Sequence, residues 1–137
     1  MNQSDQAKQS NPDSLFERLG GVYPIATLVD DFIDRVMANP KLNANPKVAE
    51  AHQKVPPAGF KYLVTEMVCW AAGGPQTYSG QSMYDSHLEL EITADEWDAF
   101  MVDFRDSLNK FSVPPKEQQE LWDIVESTKK DIVVAGS

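Results

Sequence analysis

The chain has 137 residues and a mass of 15.3 kDa, is 42% hydrophobic and 24% charged, and so has material for one domain with its own core. A formal net charge of −9 without a basic stripe argues against a nucleic-acid partner, because phosphate backbones repel such a surface. Cys69 is the only cysteine, which excludes an internal disulfide, a c-type haem attachment and a cysteine cluster for zinc or iron–sulfur, and no apolar run approaches the roughly 18–20 residues of a membrane span.

The opening MNQSDQAKQSNPDS is polar and lacks the apolar stretch of a secretory signal. Residues 1–13 read as a flexible extension, and the expected location is cytoplasmic. Ser14 can cap a short helix through Leu15, Phe16 and Leu19, which Gly20-Gly21 stops. Pro24 suits a first helical turn. Behind it Ile25, Leu28, Val29, Phe32, Ile33 and Val36 recur at helical spacing as far as Asn39-Pro40. From Pro40 to Pro57 the prolines and asparagines predict a loop, with room for one helical turn over Val48–Gln53.

Pro57 opens the next helix. Phe60, Leu63, Val64, Met67, Val68 and Ala71 form the cleanest apolar stripe in the chain. Gly73-Gly74-Pro75 ends it, and residues 73–93 are irregular. Thr93 to Glu96 is a capping box that starts a helix bearing Trp97, Phe100, Met101, Phe104 and Leu108. Ser112, Pro114 and Pro115 reset the chain before a last helix with Leu121, Ile124, Val125 and Ile132. Residues 135–137 form a tail. No segment alternates with period two for long enough to make a strand, so the fold class is all-α, with one domain over residues 14–134. Its two long irregular segments, 40–57 and 73–93, flank the striped helix, and loops of that length are usually functional or disordered.

The chain has two histidines, His52 and His87. Two are too few for a metal held mainly by imidazoles, so a metal here would have to arrive in a cofactor that brings most of its own ligands. His87 lies four residues after Met83 in a stretch that can make one or two helical turns, so the two would share a face. Phe60, Val64 and Val68 could roof an apolar pocket over them that suits a flat cofactor such as haem, with His87 as the one protein ligand. The second ring nitrogen of His87 could then donate to a carbonyl near Met83 or Tyr84. On spacing alone, a lone histidine near hydrophobic residues is more often an ordinary half-buried histidine than a ligand.

LFERLGG (15–21), VDDFIDRVMANP (29–40), AAGGPQTYSGQSMYDSHLELEIT (71–93) and the closing VPPKEQQELWDIVESTKKDIVV together resemble the group I truncated haemoglobins. The resemblance covers residues 14–134, and its most specific part runs from Gly73 to His87. It implies a two-over-two helical sandwich around haem b, with His87 as the proximal iron ligand. It also implies that Tyr78 and Met83 edge the haem and that Phe32 packs near its distal face. Lys61 would meet either a haem propionate or solvent.

Three departures concern the distal side. Ile33 stands where the family usually has a tyrosine, and Phe60 and Val64 stand where polar residues are common. Gln81 replaces a frequent arginine, and the phenylalanine pair between the second and third helices is missing. Oxygen on ferrous haem carries partial negative charge, so a distal face without a donor implies weak or short-lived oxygen binding and little effect on carbon monoxide. Nitric oxide dioxygenation and peroxidase-like turnover would then be slow at most. His52 precedes Pro56-Pro57 and is expected at the surface or a propionate edge, with a bis-histidine iron as the alternative. Cys69 is expected to be inert packing, and Trp70, Trp97 and Trp122 core or haem shell. The implied partners are a diatomic gas and a reductase, with no nucleic acid or membrane, and a monomer or weak dimer. A second reading, a cofactor-free helical module that binds through residues 73–93, predicts a colourless protein.

Overall fold

The computed structural model describes residues 13–80, 82, 87 and 90–133. Helix α1 is Leu15–Arg18, α2 Val22–Ala38, α3 Pro40–Asn43, α4 Pro46–Lys54, α5 Pro57–Ala71, α6 Ala94–Lys110, α7 Pro115–Glu126 and α8 Lys129–Ile132. No strand occurs among the described residues, apart from one isolated bridge between Ile92 and Val133. None of these helices is long and apolar enough to cross a membrane.

Two helix pairs make the core. Helix α2 packs most extensively on α5, and its other flank meets α6. The Phe32 ring lies 5.0 Å from those of Phe100 and of Phe104 across the α2–α6 contact, and Phe104 stacks on Trp122 to bring in α7. Arg105 covers the outer face of Trp122 at 4.3 Å, a cation over an aromatic ring. Trp97 is buried, Trp122 is half-buried and Trp70 stands 52% exposed, so only the first two belong to the core.

The segment 40–57 is helical, contrary to the loop expected there. Asn39 and Asn45 each precede a proline. Each side-chain oxygen accepts from the N–H two residues on, Lys41 and Lys47, at 3.0 Å. Pro40 and Pro46 therefore occupy first helical positions, where a missing N–H costs nothing and a fixed φ helps. Read as breakers, these prolines are starters.

Asp31 ties α2 to α6. Its carboxylate accepts from Arg35 Nε at 2.8 Å, from the fully buried Ser107 hydroxyl at 2.7 Å and from Lys110 Nζ at 2.8 Å. The Lys110 ammonium first, then the Arg35 guanidinium, hold this carboxyl far below its ordinary value of 3.8. The folded protein thus binds fewer protons here than the unfolded chain, so the stabilisation is complete above that value and fades as pH falls below it. Replacing Asp31→Asn is expected to lower the urea midpoint near neutral pH by the equivalent of about 1–3 kcal/mol. The gap from the unsubstituted protein should narrow in acid, and a gap independent of pH would contradict the assignment.

Helix α6 ends with Ser112 at φ 54, where Ser112 and Val113 N–H groups bond back to Asn109 and Leu108 carbonyls. A side chain is strained in this left-handed cap. Ser112→Gly should therefore raise the melting temperature, by the equivalent of about 0.5–1 kcal/mol.

Candidate functional site

Helix α5 carries two distinct faces. Val68, Cys69 and Ala72 are buried toward the core. Lys61, about two to three turns earlier on the same side, places Nζ 2.7 Å from Asp30 and 2.8 Å from Asp34 on α2. Those two carboxylates, Asp30 the stronger, raise the Lys61 pKa. The amine is thus engaged as a clamp between α2 and α5. About a third of a turn away, at 100° per residue, lie Phe60, Leu63, Val64 and Met67. All four are only half-buried. Ala71, expected on this stripe, is exposed, because the last turn of α5 rolls Cys69 and Ala72 toward α1 instead. The bond from Phe16 N–H to Ala72 O at 2.9 Å fixes that roll. Cys69 is fully buried, and burial pushes its thiol up to about 11, so it is packing and not a nucleophile.

The glycines after α5 turn the chain sharply. Gly73 adopts φ 91, its N–H bonds Trp70 O at 3.2 Å, and the Gly74 N–H bonds Cys69 O at 2.8 Å. This is the paired cap that glycine permits at a helix end. A Cβ on Gly74 would lie 2.6 Å from Phe16 Cδ1 and 2.9 Å from Cys69 O. The chain then returns along the outside of α5. Glu66 accepts from the Ser79 N–H at 2.6 Å, from the Ser79 hydroxyl and from the Tyr62 hydroxyl. Tyr78 stacks on Trp70 with ring centres 6.3 Å apart. Tyr78 is half-buried, and its phenol is raised first by burial and then by Glu66. Tyr62, Glu66 and Trp70 repeat every four residues, a stripe that only becomes legible in the sequence once the returning segment is seen to lie on it.

His87 is helical and half-buried. Met83, with Gln81 and Tyr84, lies outside the described residues. Where the segment 73–93 rejoins the core it is held by α4: Asn45 Nδ2 donates to Leu90 O at 2.8 Å, and Lys47 pairs with Glu91 at 2.6 Å. Both irregular segments of the sequence are thus joined to each other. On the α5 side, Phe32 and Ile33 are buried in the core. Phe32 is taken up by its contacts with α6, whereas Phe60 meets His52 edge-on, with ring centres 5.9 Å apart. His52 is itself half-buried on α4, and burial lowers its pKa, favouring the neutral ring. His52 was expected at the surface or a propionate edge because it precedes Pro56-Pro57; α4 places its half-buried ring beside Phe60.

These residues suit a haem. One side of α5 is apolar and only half-buried, it carries no ionised group, and a half-buried histidine lies in the segment that leaves it. Among the described residues no group of three or more acidic, cysteine or histidine side chains could hold a bare metal ion, and His87 offers a single imidazole of the kind that haem iron takes. The family model for bacterial-like globins matches residues 14–134.

The chain belongs to the bacterial-like globin family. Its relatives include a group 1 truncated haemoglobin of Chlamydomonas moewusii, 27% identical over 89% of this chain and 69% of that one. Another is a group 1 truncated haemoglobin of Tetrahymena pyriformis, 22% identical over 90% and 98%. The crystal structure of truncated haemoglobin from Tetrahymena pyriformis in its Fe(III) form matches with a TM-score of 0.74 at 21% identity, covering 88% of this chain and 98% of that one. The α2–α5 and α6–α7 pairs are the two-over-two globin sandwich, of the group I truncated type, and haem-based binding of a diatomic gas follows from the family. Because the cap at Gly74 sets where this globin's 73–93 segment departs from α5, Gly74→Ala is expected to lower thermal stability by about 1–3 kcal/mol, read as a drop in melting temperature; an unchanged melting temperature would refute the close packing on Phe16.

Proposed function

We propose that this globin holds haem b through His87 and binds a small diatomic gas on the α5 side. The observation that carries the reading is the half-buried apolar face of Phe60, Val64 and Met67, set apart from the face that packs on α2. Haem supplies the iron at which a gas binds reversibly. Phe60 and Val64 exclude water from the distal side, Val68 and Ile33 continue that surface into the core, and Phe32 backs it through α6. Tyr78, braced by Trp70, and Met83 belong at the cofactor's edge. Lys61 contributes indirectly: its pairs with Asp30 and Asp34 hold α5 at its distance from α2.

Ile33, Phe60 and Val64 offer no hydrogen-bond donor. A donor to a polarised gas ligand is worth roughly 1–3 kcal/mol, which is about ten- to a hundredfold in affinity. Oxygen is therefore held weakly, and carbon monoxide, which polarises less, is held nearly as well as in a polar pocket. A reductase returns the iron to the ferrous state, the protein works in the cytoplasm as a monomer or weak dimer, and peroxidase-like turnover is slow.

The purified protein with haemin should show a Soret band near the usual ~400–420 nm for protein-bound haem. His87→Gly should lose it, and added imidazole should restore it. A protein that takes up no haemin, or whose band is indifferent to His87→Gly, refutes the reading. In stopped flow, oxygen should leave the ferrous protein about ten- to a hundredfold faster than from Ile33→Tyr. Equal rates would mean that some other group already serves as donor.

A further inference from the structure

Asn45 joins three parts of the fold through one side chain. It is the N-cap of α4, where its Oδ1 accepts from the Lys47 N–H at 3.0 Å. Its Nδ2 donates to Leu90 O at 2.8 Å, and the same nitrogen lies 3.3 Å from Glu96 Oε1. That Glu96 oxygen also accepts from the Thr93 N–H at 2.9 Å, in the capping box that starts α6. One end of the amide faces an N–H and the other faces two acceptors, so only one orientation of the side chain satisfies every partner. Serine or aspartate would cap α4 as well as asparagine does. The donor end does nothing for α4; it serves the segment that carries His87.

Leu90 follows His87 by three residues, and the next residue, Glu91, has φ 52. A glutamate is strained in that left-handed conformation and keeps it only where its neighbours are fixed. They are fixed on both sides: Asn45 takes the Leu90 carbonyl, and Ile92 is buried and bridged to Val133. The Lys47–Glu91 pair is exposed at both ends and adds little stability of its own. We propose that Asn45 is a positioning residue for the iron ligand: by holding Leu90 it confines the backbone strain to Glu91 and sets where the His87 ring meets the haem iron. The inference rests on the reading of His87 as the haem ligand. A metal-bound histidine is tuned by what orients it, and Asn45 acts on it through the backbone, from the start of α4.

Resonance Raman spectra of the reduced, gas-free, haem-loaded protein test this through the iron–histidine stretching band. The unsubstituted protein should give one narrow band. Asn45→Ser, which keeps the α4 cap and is too short to reach Leu90, should shift and broaden it. Glu91→Gly should do the same while raising the melting temperature, because glycine takes up the positive φ without strain and frees the chain at that point. A loss of stability alone would not give that pairing. Lys54→Ala, which removes an exposed ion pair on the same helix, should leave the band unchanged. A band identical in the unsubstituted protein, Asn45→Ser and Glu91→Gly overturns the inference and leaves the haem reading intact. An equal shift in Lys54→Ala does so too, as does a Glu91→Gly protein that melts lower than the unsubstituted one. A chain that takes up no haemin, or whose band survives His87→Gly, overturns both.

Discussion

Helix α5 has to satisfy two neighbours of different kinds at once. One edge must pack on α2 as a protein core does, and the other must stay apolar without being filled by protein. The first demand is met by the Lys61 clamp to Asp30 and Asp34 at one end, while Val68, Cys69 and Ala72 at the other are buried in the core beside α1. Were Lys61 apolar, α2 could slide inward over Phe60 and Val64. Two carboxylates on successive turns of α2 instead fix the lateral position of α5 through a single ammonium. Pairs this exposed contribute little stability individually. Their value here is geometric, because they set a spacing.

The remainder of the fold keeps α2 in place for that contact. Asp31, about 100° round α2 from Asp30, anchors α2 to α6 through Ser107 and Lys110. One acidic stretch, Asp30-Asp31, thus serves both neighbours of α2. The glycine cap at residues 73–74 then turns the chain back along α5, where Glu66 and Trp70 receive Ser79 and Tyr78. Asn45 and Lys47 catch the same segment again at Leu90 and Glu91. The histidine-bearing stretch is therefore tethered at both of its ends, by α5 before it and by α4 after it.

Much of this was legible from residue pattern alone. The stripes on α2 and α6, the capping box at Thr93 and the stop at Gly73-Gly74 depend on local chemistry, and local chemistry is what a sequence displays. The stripe on α5 reads as one face, and its residues Phe60, Leu63, Val64 and Met67 are the half-buried ones, but at its far end Val68 turns into the core and Ala71 is exposed. That end is set by the Phe16–Ala72 bond, a contact between segments far apart in the chain, which periodicity cannot register. Of the helices over 40–54 only a turn at Val48–Gln53 was legible, because Asn-Pro reads as a break unless the asparagine oxygen is seen to cap the next turn. The roles of Lys61 and Glu66 were equally hidden, since both depend on partners in other elements. The globin resemblance lay in a motif that spacing could not interpret unaided.

The proposed haem binding turns on which side of α5 meets the cofactor: in this proposal the Phe60–Val64–Met67 side is the haem face and the Lys61–Cys69 side is the protein face. Proton NMR of the haemin-loaded, cyanide-bound ferric protein tests this directly, because the unpaired electron shifts protons near the iron. Large hyperfine shifts are predicted on the His87 ring and on Phe60 and Val64, with Thr65 and Cys69 near their ordinary positions. Shifts on Thr65 and Cys69 with Phe60 and Val64 unmoved would place haem on the other side of α5 and contradict this assignment of faces.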